Sequence, residues 1–446
     1  MPIALQNLVT SSLTLIAVLF IGQLGETAVA SVSLANQIFF LLNLMVFGVT
    51  SGCAIFIAQL WGKKDVHNIR RVVGVTVKLA LAAALFFTIV GFFFSRAVLH
   101  IYSNDPEVIQ RGGDFLRIIC WTYGFFTISI VFSMANRSTG NVRLPLYIST
   151  SALAIEVIMA IPLIFGVKLI HLPAMGINGF AWAALIARIL ECSALLFFTY
   201  KDKTNPVRVG WHELREFDWK FFKTILKPVL PVIANETLWS LGITTYNAIY
   251  GHISTDAVAA MNMVQTIDQI AFVLFLGIGT ATSIMVGHLI GKGESRQAYE
   301  YGGRSLLLQA TGAMIIGLVV FLFAGNIFQL YKVTPEVISD ARAILTVMSM
   351  GMWVRASNHV IIIGILRAGG DTKFSLVLDG LVIWLIGVPA TALGAFVFQL
   401  PIYFVYALTL TEEVTKASVG IWRYFSKRWI NDLTTRVEAI STAEFL

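Results

Sequence analysis

Pro106-Glu-Val-Ile109 is repeated without change as Pro335-Glu-Val-Ile338, 229 residues further along the chain. The same offset aligns the sequence with itself near its start, where Pro2 meets Pro231 and no gap is needed as far as Asp65. A shared apolar composition would produce scattered matches, but it would not hold one register over so long a stretch. The chain therefore contains an internal repeat that divides it into two halves.

The repeat continues into a polar segment of each half. With an offset of 230, residues 137–143 (Arg-Ser-Thr-Gly-Asn-Val-Arg) lie over residues 367–373 (Arg-Ala-Gly-Gly-Asp-Thr-Lys). Both segments separate long apolar stretches and are rich in residues that favour turns. We expect the two segments to form equivalent loops.

The composition assigns the broad class of the protein. Of the 446 residues, 57% are hydrophobic and only 13% are charged, whereas soluble domains average about 25% charged residues. A soluble enzyme, a disordered chain and a disulfide-stapled secreted module are thereby excluded. Since a helix needs about 20 apolar residues to cross a bilayer, the sequence predicts an all-α polytopic membrane protein. Twelve transmembrane helices are predicted at 2–22, 30–60, 72–95, 113–136, 143–166, 175–200, 227–250, 257–290, 303–331, 337–366, 374–398 and 401–424.

Combined with the repeat, these helices predict two pseudo-symmetric six-helix bundles in the same orientation. Parallel repeats of this kind are related by an axis along the membrane normal. The expected domains are an N-terminal lobe at 1–200, a cytoplasmic connector at 201–226, a C-terminal lobe at 227–430 and a cytoplasmic tail at 431–446. Two such lobes facing each other would form a cleft that opens to either side, as in secondary transporters.

The charge distribution predicts the orientation of the chain. The formal net charge is +7, from 32 Lys+Arg against 25 Asp+Glu, and the basic residues concentrate in alternate loops such as 63–71 and 201–227. Because cytoplasmic loops carry an excess of Lys and Arg, we expect both termini in the cytoplasm. The same bias explains the net charge without nucleic acid as a partner.

Four segments carry a resemblance to a known family. These are Leu24-Gly-Glu-Thr-Ala-Val-Ala30, Ala58-Gln-Leu-Trp-Gly-Lys-Lys-Asp65, Gly287-His-Leu-Ile-Gly-Lys-Gly293 and Gly364-Ile-Leu-Arg-Ala-Gly-Gly-Asp-Thr-Lys373. In this order and at the repeat spacing, they resemble the MATE (multidrug and toxic compound extrusion) transporters of bacteria over essentially the whole chain.

The resemblance implies a function. It implies export of amphipathic or cationic organic compounds by alternating access, driven by inward Na⁺ or H⁺ and not by ATP. The chain is then expected to be no enzyme and to need no cofactor beyond the coupling ion. We expect a monomeric multi-pass protein of the bacterial plasma membrane, with organic cations and the lipid bilayer as its partners.

Glu236 is the first candidate for the coupling site. A charged side chain inside a bilayer costs roughly 2.5–3.5 kcal/mol on insertion scales, so a carboxylate there calls for a functional explanation. Glu236 lies about 14 Å beyond Lys227 along a helix, near the expected midplane. The family resemblance also implies an acidic cation-binding residue at this place, and its repeat partner is the uncharged Asn7.

Three further carboxylates are candidates for the coupling cation or proton. Asp268 and Asp379 would complete a site in the second lobe, with Na⁺ predicted at Glu236 and Asp268. In the first lobe, the places where many members of the resembled family carry Asp hold Ala17 and Ala160. Glu156 is expected to take over part of that site.

The substrate cleft has four candidate residues. Asn7 and Gln37 are uncharged polar residues of the first two predicted helices and would line a hydrated cleft. The aromatic rings of Trp239 and Tyr246 would contact a flat organic cation by cation–π attraction.

Other intramembrane charges are interpreted as structural ion pairs. Arg188 and Glu191 have i,i+3 spacing, and Glu412 and Lys416 have i,i+4 spacing.

Two alternatives to drug export stay open. A lipid-linked oligosaccharide flippase would share the two-lobe architecture, but it would be expected to have a basic cavity, and the deep charges here are mostly acidic. A membrane enzyme of lipid metabolism would need clustered catalytic groups, and the seven histidines are scattered along the sequence.

Overall fold

The computed structural model describes residues 16, 19–167, 173–215, 218–328 and 333–444. Across these ranges the regular elements are all helices. We number them α1 Glu26–Lys63, α2 Val66–Phe93, α3 Ser95–His100, α4 Pro106–Ile119, α5 Thr122–Ser138, α6 Arg143–Phe165, α7 Ile177–Lys201, α8 Trp211–Arg215, α9 Trp219–Ile253, α10 Thr255–Gly291, α11 Ser295–Phe328, α12 Pro335–Arg367, α13 Thr372–Val397, α14 Ile402–Phe425 and α15 Thr434–Glu444.

The predicted all-helical fold is confirmed. Eight of the described helices are long and apolar enough to cross a membrane, and α4 with α5, bent by 48°, would form a ninth span. The helices α9 and α14 are as long as the others but less apolar, and both carry charges in their central turns. Each predicted span from 30–60 onward coincides with a helix or with this bent pair. The first predicted span, 2–22, lies mostly outside the described residues.

The repeat is visible in the geometry of the helix ends. Two residues that correspond at the offset of 229, Lys64 just after α1 and Gly293 two residues after the end of α10, both have a positive φ, of 63° and 81°. At the first end, the Asp65 amide donates to the Leu60 carbonyl over 3.1 Å. At the second, the corresponding hydrogen bond runs from Glu294 to Leu289 over 2.9 Å.

The loops at 137–143 and 367–373 are equivalent in the same way. Gly140 and Gly370 have φ of 89° and 78°, a conformation that glycine adopts without steric cost. Their amides donate to the carbonyls of Arg137 and Arg367 over 3.0 and 2.8 Å. The sequence repeat therefore encodes matching chain reversals.

The contact pattern divides the chain into two compact units. The C-terminal unit is Leu226–Arg436, and the N-terminal unit is the described part of Ala4–Ile225 together with that of Val437–Leu446. In the N-terminal unit α1 packs on α2, α2 on α5 and α6 on α7. In the C-terminal unit α12 packs on α10, α11 and α14. The domain boundaries expected for the connector and the tail stay predictions.

In the N-terminal unit, Asn136 of α5 connects the segment after α7 to the helices. Its amide nitrogen donates to Thr199 of α7 over 3.4 Å, and its amide oxygen accepts from Asn205 over 3.1 Å. All three residues are buried. The first residues of the expected connector are therefore part of the packed N-terminal unit.

Two helices of the C-terminal unit are partly wound as π-helix. The last two turns of α12, Val360–Arg367, and three segments of α13, Leu376–Leu381, Ile383–Gly387 and Leu393–Val397, have this wider form. π-Helical turns are rare and frequently lie at functional sites. Arg367 and Asp379 belong to these turns.

Candidate functional site: a charged network in the C-terminal unit

Glu236 of α9 forms an ion pair with the last turn of α12. Its Oε1 atom lies 2.6 Å from Nη1 of Arg367, and the two side chains are 12% and 3% exposed. Arg367 opens the repeated loop segment at 367–373, which the sequence places at a membrane-proximal turn. The structure therefore gives the first candidate carboxylate a buried basic partner.

Asp268 of α10 is held by a second arginine of α12. Arg355 donates from Nη1 and Nη2 to the two carboxylate oxygens over 2.9 and 3.1 Å. This two-point geometry is the strongest form of a carboxylate–guanidinium pair. The arginine also lies over the ring of Phe272, at 5.4 Å from its centroid.

Asp379 of α13 and Glu412 of α14 share one lysine. The Lys416 ammonium lies 2.8 Å from Oδ1 of Asp379 and 2.6 Å from Oε1 of Glu412, and the lysine is 2% exposed. The second oxygen of Asp379 accepts a hydrogen bond from Nδ2 of Asn235 over 2.9 Å. The second oxygen of Glu412 is in contact with the Tyr246 hydroxyl.

The glycine at position 387 of α13 makes this approach possible. A Cβ atom built on Gly387 would overlap both the Tyr246 hydroxyl oxygen and Oε2 of Glu412. The absence of a side chain therefore lets the hydroxyl and the carboxylate meet against the backbone of α13.

Carboxylates outnumber basic groups in this network. Glu413 of α14 accepts from the Asn358 amide over 2.7 Å, and its carboxylate forms none of the ion pairs found among the described residues. The carboxylates are Glu236, Asp268, Asp379, Glu412 and Glu413, and the basic side chains are Arg355, Arg367 and Lys416. Such an arrangement is suited to bind additional positive charge, as protons or as cations.

Comparisons with known proteins assign the family. The sequence model of the family described as MatE matches residues 2–161 and 231–416, which together make up most of the chain and follow the two repeats.

The chain belongs to the MatE family.

Its relatives and structural neighbours agree with this membership. The probable multidrug resistance protein YoeA of Bacillus subtilis is 25% identical over 391 residues, which are 87% of this chain and 84% of that protein. The probable multidrug resistance protein NorM of Thermotoga maritima is 21% identical over 411 residues, covering 92% and 87%. The structure of the Vibrio cholerae MATE transporter VcmN in its bent form superposes with a TM-score of 0.85 at 17% identity, covering 98% and 95%.

The family resemblance inferred from the sequence motifs is thereby confirmed, and so is the fold that it implied. Members of the MatE family are transporters, and this chain is a multi-pass membrane protein. The three second-lobe candidates, Glu236, Asp268 and Asp379, lie in one unit, but each has its own basic partner. Their role in coupling stays a prediction.

The MatE N-terminal unit holds a smaller charged group. Arg188 and Glu191 of α7 form the predicted i,i+3 pair, with Nη1 and Oε2 2.6 Å apart. Glu156 of α6 lies within electrostatic reach of both. The predicted i,i+4 pair between Glu412 and Lys416 is also present, but no sequence pattern indicates that Asp379 shares the lysine.

The predicted cleft residues are dispersed among different environments. Asn7 lies outside the described residues. Gln37 is exposed and Trp239 is 39% exposed, whereas Tyr246 is 6% exposed and contacts Glu412. Within the described ranges, His, Cys, Asp and Glu side chains form no group of three that could hold a metal ion. The Na⁺ site at Glu236 and Asp268 stays a prediction.

Most carboxylates of the network could be named from the sequence, but most of the basic and amide side chains that bind them could not. Arg367 was assigned to the loop at 367–373, and Arg355, Asn235, Asn358 and Glu413 were not assigned to the site. The one available signal was that Glu412, Glu413 and Lys416 lie in the middle of an apolar segment, where charge is costly.

Proposed function

We propose that this MatE protein is a secondary active exporter of amphipathic, mainly cationic organic compounds, which it exchanges for Na⁺ or H⁺ by alternating access. The observation that carries the proposal is the excess of carboxylates over Lys and Arg side chains within the charged network of the C-terminal unit. A site with this excess favours positive charge and can exchange one cation for another. The names of the relatives YoeA and NorM, which describe probable multidrug resistance proteins, support the same substrate class.

Glu236 is proposed to take part in coupling through competition with Arg367. Its Oε1 atom accepts from the arginine, and Oε2 has no hydrogen-bond partner among the described residues. An incoming proton would neutralise the carboxylate and weaken the ion pair, whereas an incoming Na⁺ would have to share the carboxylate with the guanidinium. In either case the helices α9 and α12 are coupled to the charge on Glu236.

We further propose that the protein lies in the cell membrane as a monomer with both termini in the cytoplasm. The clustering of Lys and Arg in alternate loops supports this orientation. The flippase alternative has less support because the network contains more acids than bases, and a pyrophosphate headgroup would require the reverse.

The test uses transport of tetraphenylphosphonium in proteoliposomes that contain the full-length protein. Na⁺ and H⁺ gradients are imposed separately, and at least one of them should drive accumulation above the level seen with no gradient. Glu236→Gln should lower gradient-driven transport at least tenfold, because the glutamine cannot change its charge. The matched control is Glu300→Gln on α11, where the glutamate pairs with the exposed Arg296 and transport should be unchanged.

Two results would contradict the proposal. Equal accumulation with and without either gradient would show that transport is not coupled to these ions. Full transport by Glu236→Gln would remove Glu236 from coupling while leaving the exporter function intact.

A further inference from the structure

The excess negative charge of the network must be compensated by a bound proton or cation. Charges of opposite sign in a medium of low dielectric constant attract strongly, and an uncompensated carboxylate there is costly. Asp379, Lys416 and Glu412 form a group with two carboxylates and one ammonium, so this triad carries one negative charge when both acids are ionised. One proton would make it neutral.

Hydrogen-bond partners indicate which carboxyl group can take that proton. Both oxygens of Asp268 accept from the Arg355 guanidinium. Both oxygens of Asp379 also accept, from the Lys416 ammonium and from Nδ2 of Asn235. The guanidinium and the ammonium can only donate, so a proton on Asp268, or on the oxygen of Asp379 that faces Lys416, would place two donors against each other. The other oxygen of Asp379 could keep a hydrogen bond after protonation only if the Asn235 amide turned over to present its oxygen.

Glu236 and Glu413 are less suited for another reason. One oxygen of Glu236 accepts from the Arg367 guanidinium, and one oxygen of Glu413 accepts from Nδ2 of Asn358. The other oxygen of each carboxylate has no hydrogen-bond partner among the described residues. A proton placed there would have no acceptor within the described part of the protein, so its hydrogen bond would depend on water.

Glu412 is different because of the group that faces its second oxygen. Oε1 accepts from Lys416, but Oε2 meets the Tyr246 hydroxyl. A hydroxyl can donate to an ionised carboxylate and can equally accept from a protonated one. Glu412 can thus gain or lose a proton without losing this contact. The residue is 3% exposed, so water does not supply the alternative partner.

We propose that Glu412 binds and releases the coupling proton in the C-terminal unit, and that Lys416 is the counter-cation that responds to it. With Glu412 ionised, Lys416 is shared with Asp379. When Oε2 of Glu412 is protonated, Lys416 pairs with Asp379 alone and the triad is neutral. An organic cation bound near the triad would supply the same positive charge, so cation and proton would compete. This inference rests on the proposed function, because it presumes an exchange of cations.

The charged and titratable groups around Glu412 come from each element that contacts it. Helix α9 contributes Tyr246 and Tyr250, and α14 contributes Lys416 and Glu413. Helix α13 contributes Asp379 through the shared lysine. Helix α12, which packs against α14, contributes Arg355, whose charge acts on Glu413 and Tyr250, and His359, which interacts with Asp379. Because Lys416 favours the ionised carboxylate and Glu413 opposes it, the state of Glu412 is set by this local balance.

The experiment measures protons released when tetraphenylphosphonium binds. The full-length protein in detergent is placed in weakly buffered solution with a pH-indicator dye, and proton release per chain is followed from pH 5 to 9. The wild-type protein should release protons on binding. Glu412→Gln should release about one proton fewer per chain, whereas the control Glu300→Gln should release as many as the wild type.

Tyr246→Phe provides a second measurement that needs no change of charge. The hydroxyl stabilises the ionised carboxylate more than the neutral acid, since hydrogen bonds to charged groups are the stronger ones. Without it, the midpoint of proton release should move to higher pH by about one unit. A structural role of the tyrosine alone would lower stability without moving this midpoint.

Several outcomes would overturn the inference. Undiminished proton release from Glu412→Gln would do so. The inference would also fail if Asp379→Asn or Glu413→Gln lost the released proton while Glu412→Gln still released it. If Glu412→Gln does not fold, an unchanged midpoint of proton release in Tyr246→Phe would overturn the inference. Na⁺-driven transport without proton release from the wild type would overturn the inference but leave the proposed function standing. No gradient-driven transport at all would overturn both.

Discussion

The two units place different side chains at two equivalent positions that are in contact. At the offset of 229, Phe39 corresponds to Asp268 and Phe126 corresponds to Arg355. In the N-terminal unit the two rings pack edge to face with centroids 4.9 Å apart. In the C-terminal unit the same positions form the two-point ion pair. The repeated scaffold therefore accepts either an aromatic contact or an ion pair at this place.

This difference bears on why the charges are present. A buried ion pair is often no more stabilising than apolar residues of similar volume, and the N-terminal unit demonstrates that two aromatic rings fill the position. The fold alone does not require Asp268 and Arg355. We attribute their presence to the function of the C-terminal unit.

The charged triad shows the same contrast. At the offset of 230, Asp379 corresponds to Ser149 and Gly387 corresponds to Val157. The N-terminal unit thus has a hydroxyl in place of the carboxylate, and a branched side chain in place of the glycine against which Tyr246 and Glu412 meet. Both substitutions remove a feature that the network needs.

The largest effect is expected from breaking the ion pair on one side only. Asp268→Leu would leave the partly buried Arg355, 25% exposed, without its carboxylate. It should cost about 3 kcal/mol of the free energy of unfolding, the lower end of the range for breaking a buried pair. The double variant Asp268→Phe with Arg355→Phe, which copies the N-terminal unit, should recover more than half of that loss. Chemical denaturation in detergent micelles measures both. A double variant as unstable as the single one would refute the equivalence of the two positions.

A smaller effect is expected at the glycine of α13. Gly387→Ala would drive a methyl group into the Tyr246 hydroxyl and the Glu412 carboxylate, and such overpacking costs about 1–3 kcal/mol. The matched control is Gly124→Ala on α5, where a Cβ would have no atom within 4 Å. That variant should be neutral or more stable by up to about 1 kcal/mol. Equal stability of the two variants, measured by the same denaturation, would argue against close packing at Gly387.

The smallest effect is expected from an ion pair at the surface. Arg296 and Glu300 of α11 are paired at 3.0 Å, but their side chains are 93% and 43% exposed. Exposed pairs contribute little because water and salt screen them. Glu300→Gln should therefore change the free energy of unfolding by less than about 0.5 kcal/mol. A loss approaching that of Asp268→Leu would contradict the distinction between exposed and interior pairs.

The sequence predicted the helices well and their side-chain partners poorly. Spans such as 143–166 and 374–398 agree with α6 and α13 to within a few residues, because long apolar segments have few alternatives in a membrane. Pairs close in sequence, such as Arg188 with Glu191, follow from helical spacing. Glu236 and Arg367 are separated by 131 residues, and no local pattern relates them.

The sequence by itself determined the class of the protein, its two repeats, its helices and the chain reversals between them. These features depend on the length of the apolar segments, on the ability of glycine to adopt a positive φ, and on hydrogen bonds between residues close in sequence. Only the tertiary structure decided which charged side chains form ion pairs, and that Lys416 pairs with two carboxylates. It also decided that Gly387 leaves space for the Tyr246 hydroxyl to contact Glu412. The physical reason is that ion pairing and close packing depend on distances of a few ångströms between helices that are far apart in the chain.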